Sequence, residues 1–132
     1  MQAVHLQLPS SAFPFYFRLD RTLKFIEFGQ ALPRVVPDLL LGQQLKALIH
    51  QLRPSTPIEN VWSSTPEMQA RTLYIFKVLS NNLLLRGQVL FDENSDSLLF
   101  LGSPWLNDPE QLHTYGLSLN DFAVHDASTD LL

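Results

Sequence analysis

Hydrophobic positions concentrate between Thr72 and Ser103, in three runs reading TLYIFKVL, LLLRGQVLFD and SLLFLGS. The breaks between them, Ser80-Asn81-Asn82 and Glu93-Asn94-Ser95-Asp96, are short and turn-forming. Runs of this length, rich in Leu, Val, Ile and Phe and joined through Asn, Asp and Ser, predict an antiparallel meander rather than helices. Upstream, FPFYFRL, the connector Asp20-Arg21-Thr22 and LKFIEFG predict a hairpin ended by Gly29. Alternation puts Phe15, Phe17 and Leu19 on one face of its first strand, with Tyr16 and Arg18 on the other.

Between hairpin and meander the period changes. Pro33 and Pro37 limit the first segment to a turn or two of helix. Gly42 suits a left-handed break, after which Leu45, Leu48, Ile49 and Leu52 recur at the spacing of an amphipathic helix, Gln43 to Leu52, halted by Arg53-Pro54. Ser55 to Ser64 reads as a loop anchored by Val61 and Trp62. The sequence Ser64-Thr65-Pro66-Glu67 is a helix start for a short helix to about Arg71. A last helix follows Asp108-Pro109 and stops at Gly116. Strands and helices segregated in this way predict an α+β fold with an antiparallel sheet.

The last strand breaks the alternation expected of a sheet with one wet face. Leu98 and Phe100 fall on one side and Leu99 and Leu101 on the other, so both faces are expected to be covered. Burying the second pair would contribute on the order of 3 to 6 kcal/mol. Either the N-terminal arm, with Val4, Leu6 and Leu8 at alternate positions, covers that face, or a second copy of the domain does. Leu8, Phe13, Leu99 and Leu101 are the expected pairing residues.

Composition narrows the chemistry. With 132 residues, 45% of them hydrophobic and including nine Phe, the chain can bury one core without staples. The absence of Cys excludes disulfides, thiolate zinc sites, a thiol nucleophile and a flavin-reactive thiol. A net charge of -4 with Lys and Arg scattered singly argues against a nucleic-acid surface. No apolar run approaches the roughly 20 residues needed to span a bilayer, and the start MQAVHLQLPSS lacks a basic leader segment. A cytoplasmic location is the expectation, and Thr129-Asp130-Leu131-Leu132 reads as a cut through a longer polypeptide.

His5, His50, His113 and His125 are dispersed, and none forms a metal-ligand pair. His50, near an expected helix end, is the best candidate for a haem ligand, against a simple role at the helix dipole. Asp20 beside Arg21, and His125 beside Asp126, read as turn-former and helix cap rather than acid-base pairs. There is no nucleophile elbow and no glycine-rich phosphate loop among five Gly, so no catalytic residue is assigned.

Three blocks in order resemble the haem-nitric-oxide-binding-associated (H-NOXA) domain, a PAS-like module of soluble guanylate cyclases and bacterial histidine kinases. They are Phe13-Pro14-Phe15 with Leu19-Asp20-Arg21; Gly87-Gln88 with Ser95-Asp96-Ser97, Leu99-Phe100-Leu101 and Ser103-Pro104; and Gly116 to Phe122 with His125-Asp126-Ala127 and Asp130-Leu131. The resemblance implies a five-stranded antiparallel PAS-like sheet flanked by short helices, with the hairpin beside the last strand of the meander. It divides the chain into an arm at 1–12, a domain at 13–118 and the start of a signalling linker at 119–132, with Asp121, His125 and Asp126 in that linker. It further implies a non-catalytic dimerisation and signal-relay role, as a homodimer or a heterodimer with a paralogous domain. The expected neighbours are a haem-NO-binding sensor and a kinase or cyclase output, and this domain is expected to carry no cofactor itself. The alternative is a PAS sensor holding haem, flavin or a small organic molecule between the sheet and the helix Gln43 to Leu52.

Overall fold

The computed structural model describes residues 12–106, 110–114, 116–117 and 121. Its centre is a six-stranded antiparallel sheet in the order β2-β1-β6-β5-β4-β3. The strands are β1 (Phe17–Leu19), β2 (Phe25–Phe28), β3 (Ile49–Arg53), β4 (Tyr74–Val78), β5 (Leu84–Asp92) and β6 (Ser97–Pro104). The meander forms as its pattern predicts, and β1 pairs with β6 through Phe17 opposite Phe100 and Leu19 opposite Leu98. The hairpin therefore sits beside the last strand of the meander, in a PAS-like α+β arrangement.

The sheet has one strand more than expected, and the extra strand replaces a helix. Only Leu45–Leu48 is helical in the segment Gln43 to Leu52 (α2), and Ile49–Arg53 pairs with β4 as β3. Leu45, Leu48, Ile49 and Leu52 satisfy the helical period over too few residues to decide the matter. Ile49 enters the core from a strand, while Leu52, beside a register shift, is left exposed. A long-range pairing partner thus overrides a short local pattern.

The remaining helices are short. α1 (Leu32–Val35) carries Pro33 in its first turn, where a missing N–H costs nothing. α3 (Pro66–Arg71) is capped by Thr65, whose hydroxyl accepts from Met68 N at 3.2 Å. α4 spans Glu110–Thr114, with Gly116 beyond it at φ +66°. The loop expected from Ser55 to Ser64 contains a 3-10 helix, Ile58–Ser63, that buries Ile58 and Val61. Gly42, at φ +89°, turns the chain so that Gly42 N bonds Phe25 O, Phe25 N bonds Gln43 O and Leu45 N bonds Leu23 O. Residues 42–45 thereby line the outer edge of β2.

One face of the sheet carries the core. Phe17 stacks on Phe100 at 4.7 Å between centroids, Phe25 meets Phe17 edge-on at 5.3 Å, and Phe76 does the same to Phe100 at 5.3 Å. These rings, with Leu19, Leu85, Leu98, Leu32 and Val35, fill the space between sheet and helices.

Candidate functional site

The second face of the sheet is the candidate site. Register places Tyr16, Arg18, Ser97, Leu99 and Leu101 on it, with Leu90 opposite Leu99, Gln88 opposite Leu101 and Arg86 opposite Ser103. Its two ends differ. Around β1 and β6 it is closed, with Tyr16, Arg18 and Ser97 buried and Leu99 only 8% exposed. Leu99 nonetheless lies outside the core cluster that takes in Leu98 and Phe100, so β6 is covered on both sides at Leu98 and Leu99, whereas the cover its sequence predicts over Leu101 as well is only partial. Toward β4 and β3 the face opens. Leu101 is half-buried, and Leu73, which alternation from Tyr74 assigns to this side, is 52% exposed. Arg86 lies over the Trp105 ring at 5.3 Å, with Trp105 itself 37% exposed.

The closed end is held by Arg18, 1% exposed. Its Nη1 lies 2.7 Å from Asp92 Oδ2, 2.9 Å from Ser97 Oγ and 3.0 Å from Ser95 Oγ, and its Nε donates to Glu27 Oε1 at 3.3 Å. A buried guanidinium is tolerable only with such partners. Burial alone would raise the Asp92 carboxyl, but hydrogen bonds from Arg18, Ser95 and the Asn94 backbone outweigh it and hold the group below the usual carboxylate range. Burial, reinforced by the hydrogen bond and charge of Glu27, pushes the Tyr16 phenol well above its ordinary value. One layer out, Arg21 and Asp96 join the two hairpin turns through contacts of 2.7 to 3.2 Å, and the Arg21 guanidinium sits 4.9 Å from the Trp62 ring centroid.

These contacts explain two of the quoted sequence blocks. Asp20-Arg21 and Ser95-Asp96-Ser97 are distant in the chain and meet at one end of the sheet. Asp20 is the expected turn-former, accepting from Thr22 N at 2.9 Å and Lys24 N at 3.0 Å. Arg18 as a buried hub escaped sequence reasoning; the signal was a cation inside an aromatic strand, where alternation had only assigned it a side.

The other expected site residues are dispersed. Phe13 is half-buried, and Leu8, His125 and Asp126 lie outside the described residues. Asp121 is buried, with Oδ1 3.3 Å from Arg34 Nε, so one residue of the expected linker touches α1. His50 is exposed on β3 and His113 exposed on α4; His5 is outside the described residues. The helix that was to wall a haem or flavin pocket is strand from Ile49 onward, and Phe17, Phe76 and Phe100 pack beneath the sheet. Among the described residues no group of three or more His, Asp or Glu is placed to hold a metal, and no helix is long and apolar enough to cross a membrane.

Residues 64–132, which contain α3, the whole meander and α4, match the family described as Heme NO binding associated. The chain belongs to that family. Along 96% of its length it is 29% identical to guanylate cyclase soluble subunit alpha-1 of Rattus norvegicus, covering 20% of that protein. It is 26% identical to the head-specific guanylate cyclase of Drosophila melanogaster over 98% of its own length and 21% of the other. A 50-residue stretch is 42% identical to the soluble guanylate cyclase gcy-31 of Caenorhabditis elegans. The chain thus spans about a fifth of the length of the first two relatives.

Proposed function

We propose that this Heme NO binding associated domain is a non-catalytic pairing and relay module of a larger gas-signalling protein, with a cyclase-like or histidine-kinase output. The partner is a second domain of the same kind, identical or paralogous. The observation that carries the reading is the second sheet face. Its closed end fixes β1 to β6, while its open end presents Leu101, Leu73 and the Arg86–Trp105 pair, apolar surface of the kind that marks an interaction site. Leu99, already enclosed, supports this face from within, and Leu8 of the arm and Phe13 at the start of the domain are further pairing residues in this reading.

Relay follows from where the chain leaves. Asp121 is tied to α1 through Arg34, so a change in pairing that moves the domain body pulls on the linker holding Asp121, His125 and Asp126. Such a shift alters output when the two arrangements differ by a few kcal/mol or less. Sedimentation equilibrium of the wild type and of Leu101→Asp tests the pairing. The wild type is expected to dimerise at micromolar concentration and the variant to remain a folded monomer. A wild type that stays monomeric at several hundred micromolar would remove the proposal.

A further inference from the structure

The second face of the sheet carries its charge unevenly. At the open end Arg53 of β3 and Arg86 of β5 both lie opposite Ile75, and Lys77, two residues further along β4, lies between His50 and Leu84. None of these three cations has an acidic partner among the described residues; Arg86 has the Trp105 ring and no carboxylate. Arg18, Arg21 and Arg34, by contrast, each meet an acid.

The closed end has the opposite excess. Arg18 brings one positive charge to two carboxylates, Asp92 and Glu27, whose side chains remain 23% exposed. Glu93, exposed in the turn that follows, adds a second negative charge with no ion pair among the described residues, while Arg21 and Asp96 cancel. Arg86 and Asp92 stand six residues apart on β5, roughly 20 Å at about 3.3 Å per residue. That is more than twice the screening length of about 8 Å at physiological ionic strength, so the two ends cannot neutralise each other within one copy. Between them Gln88, Leu90, Leu99 and Leu101 are uncharged. Helix α3 borders this stretch, because β4 pairs with β5 only as far as Gly87 opposite Tyr74. Beyond that point Gln88 donates to Ala70 O at 2.9 Å and Gln69 accepts from Phe91 N at 3.1 Å.

A face with opposite charge at its ends and an apolar middle is complementary to its own copy turned end for end. A two-fold axis in the plane of contact makes such a pairing isologous. With that axis crossing β5 and β6 near Leu90 and Leu101, the basic end of each copy covers the acidic end of the other, and the favourable contact is made twice. The unreversed arrangement would set cations on cations, which opposes association. We propose that the partner of this face is a second copy of the chain, docked end for end, so that Arg53, Lys77 and Arg86 of each copy face Glu27, Asp92 and Glu93 of the other. This orientation rests on the pairing reading above and adds to it the identity of the partner.

Charge exchange between Arg86→Glu and Glu93→Lys is the test, by sedimentation equilibrium of the full 132-residue chain at about 0.15 M salt. Either variant alone puts like charge against like charge at both contacts and should dimerise about tenfold or more weakly than the wild type. An equimolar mixture of the two sets each introduced charge against its opposite. It should recover the wild-type affinity to within about threefold, which also shows that both variants are folded. Lys77→Glu, which leaves the Trp105 contact intact, should replace Arg86→Glu in this exchange. Single variants that pair as tightly as the wild type, or a mixture that stays as weak as its components, would overturn the end-for-end docking and leave pairing itself standing. A wild type that is monomeric at several hundred micromolar would remove both.

Discussion

Arg18 shows how a single charged residue can hold two distant pieces of chain together. Asp92 lies seventy-four positions further along the chain, and removing Asp92 would leave the buried guanidinium short of compensation where water cannot restore it. The Asp92 carboxyl is held below its ordinary value, so the native state favours its ionised form. That contribution is fully present above about pH 4, the unfolded value, and is lost as pH falls through the lower folded value. Denaturant unfolding between pH 6 and pH 2 should show stability falling toward acid, with a shallower fall in Asp92→Asn. Equal slopes in the two proteins would mean the ion pair contributes nothing. Tyr16 has the opposite sign: its raised phenol favours the neutral form, and that stability persists below about pH 10 and is lost at higher pH.

At the scale of elements, the meander and hairpin were legible because their apolar runs have strand length and turn residues between them. Asn82 and Asp96 take positive φ in those turns, as Asn and Asp tolerate. Strand β3 was not legible, because its evidence lies in the partner strand Tyr74–Val78 rather than in its own residues. Helix α3 was found from its cap, yet its task was not. Gln69 replaces a missing strand partner for β5, and no local pattern announces that. Gln69→Ala should leave the Phe91 N–H unpaired at a cost of about 1 to 3 kcal/mol. Hydrogen exchange at Phe91 should accelerate well beyond that at Leu85, which β4 still pairs. Unchanged protection at Phe91 would show that another group satisfies it. Gly87 and Gly102 face each other across β5 and β6. A Cβ on either would strike backbone of the facing strand, Leu101 O from Gly87 and Arg86 O from Gly102, which explains the first glycine of the Gly87-Gln88 block.

For the whole molecule, the candidate site was half legible. The doubly apolar β6 pointed to a covered second face, and the structure divides that face into a closed end and an open one. The division depends on Arg18 and its partners, which are brought together only when the hairpin docks. The family match begins at residue 64, while β1, β2 and Arg18 lie before it. A protein cut to 64–132 should fail to give a dispersed amide spectrum, because β6 would lose β1 and leave Leu98 and Phe100 without Leu19 and Phe17. A folded fragment would show that the hairpin is an accessory.

The border formed by residues 42–45 has a further consequence. Sheets that end in bare strands invite copies of themselves to join on, the first step toward fibrils. Here one margin already has its backbone groups engaged at Phe25, and the other is five residues long, irregular in register and studded with His50 and Arg53. The domain can be concentrated with copies of itself without its strands growing into theirs.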